Sequence, residues 1–160
     1  MLIKLLSVIL MIVVIIGLSG CGKVFEPEFP ITITRVSDGV QISMGMYRDD
    51  IENTLEVMPE HDKFIQIIYS DNNIARGFNI RCFDWTFAGI FVGGDIQIII
   101  DSGKFEDIYY YGMANPPDML PPVSGTVGIL LEYEESSTIL NLFYDFDGKI
   151  TGIDLFDMNF

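Results

Sequence analysis

From residue 31 onward the chain runs in short segments that alternate apolar and polar positions or are apolar throughout, punctuated at close intervals by glycine, aspartate, asparagine and serine. Alternation with period two lets one side of a strand face a core, and the punctuation turns the chain back, so the pattern predicts antiparallel strands. Segments 31–36 and 40–44 flank the turn Ser37-Asp38-Gly39, and 64–69 and 78–85 lie either side of Asp71-Asn72-Asn73. Segments 86–92, 95–100 and 105–111, joined at Gly93-Gly94 and at Asp101-Ser102-Gly103-Lys104, predict a meander. Segments 126–134, 137–144 and 149–156, with turns at Glu135-Ser136 and Asp147-Gly148, predict a closing three-stranded unit.

One stretch has a different period. Ile51, Leu55 and Met58 recur at i, i+4 and i+7, and Pro59 stops propagation, which predicts a helix over 48–58. Asp49 and Asp50 suit the positive end of its dipole. Met46 and Ile51 are spaced as a hydrophobic staple if Tyr47 is the N-cap, although Tyr is a poor capping residue. The expected fold class is α+β: mainly antiparallel sheet, as hairpins and a meander, with one amphipathic helix packed on one face, after an N-terminal signal helix. Ile96-Gln97-Ile98 through Gly103-Lys104-Phe105 to Ile108 echoes Leu140-Asn141-Leu142 through Gly148-Lys149-Ile150 to Ile153. Both read as hairpins with Gly-Lys at the turn, either duplicated or alike through common turn chemistry.

The first 20 residues change the picture of where such a domain works. Lys4 precedes an apolar run over 5–17 broken only by Ser7, and Leu18-Ser19-Gly20 leads into Cys21. This is the outline of a signal peptide, and the run is shorter than the roughly 20 residues of a spanning helix. Leu18-Ser19-Gly20-Cys21 resembles the lipobox of bacterial lipoproteins, and the resemblance implies cleavage before Cys21 and acylation of its thiol. The chain then divides into a signal peptide (1–20), a tether (21–30) containing Pro27 and Pro30, and a single α+β domain (31–160). The resemblance implies a location at the cell membrane or outer membrane, lipid-anchored and facing the periplasm or exterior.

The sequence holds 9 Lys plus Arg against 23 Asp plus Glu, a net charge of -14. So acidic a surface repels phosphate backbones and anionic headgroups and argues against nucleic acid; it either keeps the protein soluble or suits a basic partner. With Cys21 acylated, Cys82 has no second cysteine to pair with, and its place in the alternation Phe78, Ile80, Cys82 points it into the core.

Ile42-Ser43-Met44-Gly45-Met46-Tyr47-Arg48-Asp49-Asp50-Ile51, with Leu55 and Pro59, resembles the Gly-Met turn and first helix of the small outer-membrane-assembly lipoproteins of the SmpA/OmlA type. The beta-lactamase-inhibitor-like fold uses a similar segment. Tyr47 departs from the usual Thr or Ser cap, and Glu56 stands where glycine is usual. The resemblance implies an envelope lipoprotein that binds proteins through a helix-on-sheet domain, and it carries over no catalytic residue.

Candidate chemistry is sparse. Asp145-Phe146-Asp147-Gly148-Lys149-Ile150 followed by Asp154 looks like the middle of a calcium loop, but the first ligand would be Phe143, the last lacks a bidentate Glu, and the flanks alternate as strands. His61 is the only histidine. The adjacent acids Asp49-Asp50 and Glu134-Glu135 read as solvent-facing charge, and Gly93-Gly94 precedes no helix of phosphate-loop type. No catalytic residue, metal site, cofactor or small-molecule substrate is expected.

What remains is Tyr109, Tyr110 and Tyr111, Met113 and Met119, running into the proline-rich stretch 115–122. Consecutive tyrosines on a strand face both sides of a sheet, and Tyr and Met suit interface cores; these five are the possible partner-binding residues. The bland alternative is an edge strand followed by a stiff crossover. The leading expectation is a non-enzymatic envelope lipoprotein acting by protein–protein binding, as an assembly or accessory factor. The alternative is an acidic immunity or inhibitor lipoprotein that neutralises a basic toxin or hydrolase, and after that an envelope hydrolase using carboxylates.

Overall fold

Alternation becomes structure most directly at the C-terminal end. The computed structural model describes residues 29–55, 65–103, 105, 108–112, 124–134 and 136–159. There β8 (Gly125–Tyr133), β9 (Ser136–Tyr144) and β10 (Ile150–Asp157) form adjacent antiparallel strands. Val127, Ile129, Leu140, Leu142, Ile153 and Leu155 share one face and are all buried. The sheet is extended by β4 (Ala75–Ile80) and β3 (Ile65–Tyr69) beyond β10, and by β7 (Ile108–Gly112) beyond β8, giving the order β3-β4-β10-β9-β8-β7.

A second sheet, β2 (Gln41–Ser43), β1 (Thr32–Arg35), β5 (Trp85–Phe87) and β6 (Ile90–Phe91), has the order β2-β1-β5-β6. Its Ile33, Ile42, Trp85, Phe87 and Ile90 join the apolar face of the larger sheet in one core. Two short helices, α1 (Arg48–Leu55) and α2 (Ile96–Asp101), contribute Ile51, Ile96 and Ile99 to that same core. The fold is therefore α+β and mainly antiparallel sheet.

The expected helix is α1. Ile51 is fully buried, its N–H donates to the Tyr47 carbonyl at 3.1 Å, and Met46 packs against the core beside it. Gly45 makes the turn before it at φ 89°, a conformation that costs a side-chain-bearing residue about 1–2 kcal/mol. Met58 and the helix stop at Pro59 lie outside the described residues, as do the signal segment and most of the tether.

Several expectations are corrected. Segment 95–100 is no strand: Asp95 caps a helix by accepting the Gln97 N–H at 2.9 Å, and Ile96 and Ile99 are buried while Ile98 points out. A second helix thus stands beside the one expected. Segment 78–85 is not one strand, because β4 leaves the large sheet at Ile80 and the chain re-enters the small sheet at Trp85. Cys82 falls in that crossing, half-buried against the core and not inside it. Segment 86–92 is a hairpin turning at Ala88 and Gly89, both at positive φ, so residues 86–111 form no meander. Tyr133 pairs with Ser136, which places the β8–β9 turn at Glu134, earlier than Glu135-Ser136.

Candidate functional site

All described helices and the smaller sheet pack on one face of the six-stranded sheet, so the alternate residues of its strands turn the other way. One register row crosses that second face from edge to edge: Gln66, Asn79, Asp154, Asn141, Gly128 and Tyr109. Next to it runs an apolar row, Ile68, Gly77, Phe156, Ile139 and Leu130. On the other side Phe143 pairs with Thr126.

Polar groups in this face partner one another in part, and Asn79 Oδ1 is buried without a hydrogen-bond partner. Asp154 is only 8% exposed and faces Arg81 Nη1 at 2.6 Å, an arrangement that spares a desolvated carboxylate. The same Nη1 donates to the Ile80 and Ile153 carbonyls, and the guanidinium lies over the Phe143 ring at 5.1 Å. Gly152 leaves room for it, since a Cβ there would stand 2.9 Å from Arg81 Nη1. Asn79 Nδ2 donates to Gln66 Oε1 at 3.2 Å.

Toward the β7 edge the face dips into a groove of about 550 Å³, lined by Tyr109, Thr126, Gly128, Leu130, Ile139, Asn141, Phe143 and Met158. Tyr109 and Met158 are each 52% exposed at its rim, and no described lining side chain is charged. Gly128 sits in the floor, directly across from both Tyr109 and Asn141, where the lack of a side chain deepens the groove.

The candidate tyrosines separate as strand geometry requires. Tyr109 belongs to the groove. Tyr110 turns to the core side, where it packs against the core and, after burial itself, is a cause of the raised phenol pKa of Tyr144. Tyr111 lies on β7 opposite Thr126. Met113 and Met119 lie outside the described residues, as does Cys21. Sequence reasoning missed the partners of Tyr109: Ile139, Asn141 and Phe143 reach it only through the β7-β8-β9 order. The alternation of β9, in which these residues sit between buried neighbours, was the available signal.

The adjacent acids singled out from the sequence do not converge on this groove. Asp49 and Asp50 are exposed on α1, Glu134 is exposed at the β8–β9 turn, and His61 and Glu135 lie outside the described residues. The Asp145–Lys149 segment is a hairpin turn between strands: Asp145 Oδ1 accepts the N–H groups of Asp147 and Lys149, and Gly148 adopts φ 71°.

At the start of the described residues, Phe29 stacks on Tyr133 with ring centroids 4.7 Å apart. The chain therefore enters at the β8–β9 turn. The eight steps from Cys21 to Phe29 span at most about 28 Å.

No family model, no curated protein and no solved structure matches the chain.

Proposed function

We propose that the chain is a lipid-anchored protein of the bacterial cell envelope that acts by binding another protein, as an assembly or accessory factor. Leu18-Ser19-Gly20-Cys21 after the apolar run supports the address. The observation that carries the binding role is the groove on the second face of the six-stranded sheet, with half-exposed Tyr109 and Met158 at its rim and no charged described side chain in its lining. Aromatic and methionine side chains around an uncharged depression are the composition of an interface centre.

The test is photocrosslinking in intact cells from a benzoylphenylalanine at position 109, beside alkyne fatty-acid labelling of the parent and Cys21→Ala. The expected result is a discrete protein adduct from position 109, and label with membrane retention that both vanish in Cys21→Ala. Absence of any adduct overturns the binding role; absence of label from the parent overturns the anchor.

A second reading, an acidic inhibitor of a basic toxin or hydrolase, has its own observation. Every described cation already faces a carboxylate: Arg35 with Asp38, Arg48 with Glu52, Arg76 with Asp157, Arg81 with Asp154 and Lys149 with Asp95. The remaining acids of the described residues have no described cation left to offset them. This reading predicts partner binding that weakens steeply with ionic strength, and flat salt dependence overturns it.

A further inference from the structure

The end of the molecule opposite the tether carries the other notable surface. Strand β9 starts at Ser136, beside Tyr133 and the stacked Phe29, and ends at Tyr144, about 26 Å away at the usual rise per residue. At that far end the β9–β10 turn meets α2: the Ile96 N–H donates to the Gly148 carbonyl at 2.9 Å, and Asp95 bridges Lys149.

Three large apolar side chains stand in solvent there: Phe146 at 72%, Ile98 at 61% and Phe91 at 46% exposure. Phe91 and Ile98 flank a cleft of about 210 Å³ between α2 and the β5–β6 hairpin, floored by Ile90, Ile99 and Ile150. Carboxylates accompany these apolar side chains: Asp95 in the cleft wall, Asp101 at the end of α2, and Asp145 and Asp147 on either side of Phe146 in the chain. Lys149 lies at this end and Asp95 holds it at 3.4 Å, while Arg81, over the Phe143 ring on the opposite face of the sheet, is paired with Asp154.

Exposed apolar anchors with neighbours of one charge define the complement they fit. Burying Phe91, Ile98 and Phe146 releases apolar surface from water, while the carboxylates favour cations at the rim and repel an acidic partner. We propose that this end of the molecule is a docking surface for a cationic segment of a partner protein that carries an apolar side chain for the α2/β5–β6 cleft. The proposal rests on the protein-binding reading above and gives the partner its chemistry. With Cys21 acylated, the surface also lies at the end of the strands away from the tether.

The test uses the full mature lipoprotein in zwitterionic nanodiscs, with empty nanodiscs as blank, and a short fluorescent peptide alternating lysine with leucine. Comparison peptides are oligolysine and the same alternation with glutamine for lysine. The expected result is saturable anisotropy with the lysine–leucine peptide and at least about tenfold weaker binding of each comparison peptide. Ile98→Ser/Phe146→Ser should weaken the first peptide by about tenfold, and Asp101→Asn/Asp147→Asn should flatten its salt dependence. All four substitutions are at exposed side chains, and unchanged urea midpoints verify that the variants fold.

Equal binding of oligolysine, or unchanged binding by Ile98→Ser/Phe146→Ser, overturns the proposal. Binding lost in Tyr109→Ala and retained in the Ile98 and Phe146 variant overturns it too, by moving the site to the sheet groove. Crosslinking from position 109 in cells does not depend on these residues. This surface can therefore fail while the protein-binding reading stands, and the reverse outcome is equally distinguishable.

Discussion

Residues 96–108 and 140–153 carry nearly the same pattern of apolar and polar positions and the same Gly-Lys, yet one opens as a helix and the other is a hairpin. In β9, Leu140 and Leu142 are both fully buried with Asn141 turned to the opposite face, a period of two. In α2 the buried residues are Ile96 and Ile99, a period of three, and Ile98 is in solvent. The glycines even share a conformation: Gly103 has φ 62° after a helix and Gly148 has φ 71° in a β-turn.

The difference lies in where the backbone groups find partners. Strand β9 lies between β8 and β10 and is paired along both sides. Segment 96–101 is in no sheet; beyond the Ile96 N–H, which donates to the Gly148 carbonyl, it bonds as a helix, with Asp95 closing the front and the Ser102 N–H donating to the Ile98 carbonyl at the back. A run of β-branched residues states which positions are apolar. Whether it extends or coils depends on whether a neighbour offers hydrogen bonds.

Leu142→Ala in β9 removes a fully buried side chain and should cost about 2–5 kcal/mol, read as a lower urea midpoint with unchanged slope. A loss below about 1 kcal/mol would mean that β9 is less central than its two neighbours imply. Gly148→Ala should cost about 1–2 kcal/mol, because the turn holds positive φ between two paired strands. Gly103→Ala should cost less, since a helix end can fray, and equal thermal shifts for the two variants would contradict that distinction.

Asp95→Ala should destabilise through loss of the N-cap, followed by the weakening of helical circular dichroism on mild heating. The Gln97 N–H, and then Lys149, hold the Asp95 carboxyl below its ordinary value of 3.8, with burial opposing them. The lowered pKa sets the sign: this contribution is complete above the unfolded value and is lost as pH falls through the folded one. Unfolding midpoints measured from neutral pH to below pH 3.8 should therefore decline less in Asp95→Asn than in the parent. The smallest effect is Ile98→Ala, expected within about 0.5 kcal/mol of the parent because the side chain is already in solvent. A large loss there would show that α2 buries that face.

Much of the sheet was legible because its signals are local. The strands 126–134, 137–144 and 149–156 appear as β8, β9 and β10 within a residue or two at their ends, and the turn at Gly148 falls where expected. Helix α1 was legible from Ile51 and Leu55. The candidate site was legible only in part: Tyr109 was named, but Tyr110 turns to the core and the groove's opposite wall comes from β9. Trp85 and Phe87 were misplaced because no glycine or proline marks Arg81–Asp84, where the chain passes from one sheet to the other.

Local pattern along the chain was enough to read the apolar run ahead of Cys21, the acidity, the turn at Gly148, and the faces of the strands that pack in series, since each depends on neighbours a few residues away. Long-range packing set the rest: that there are two sheets, that residues 96–101 coil, and that Tyr109 meets Asn141 across Gly128. Those outcomes depend on which backbone is present to accept a hydrogen bond, and such partners lie far apart in the chain.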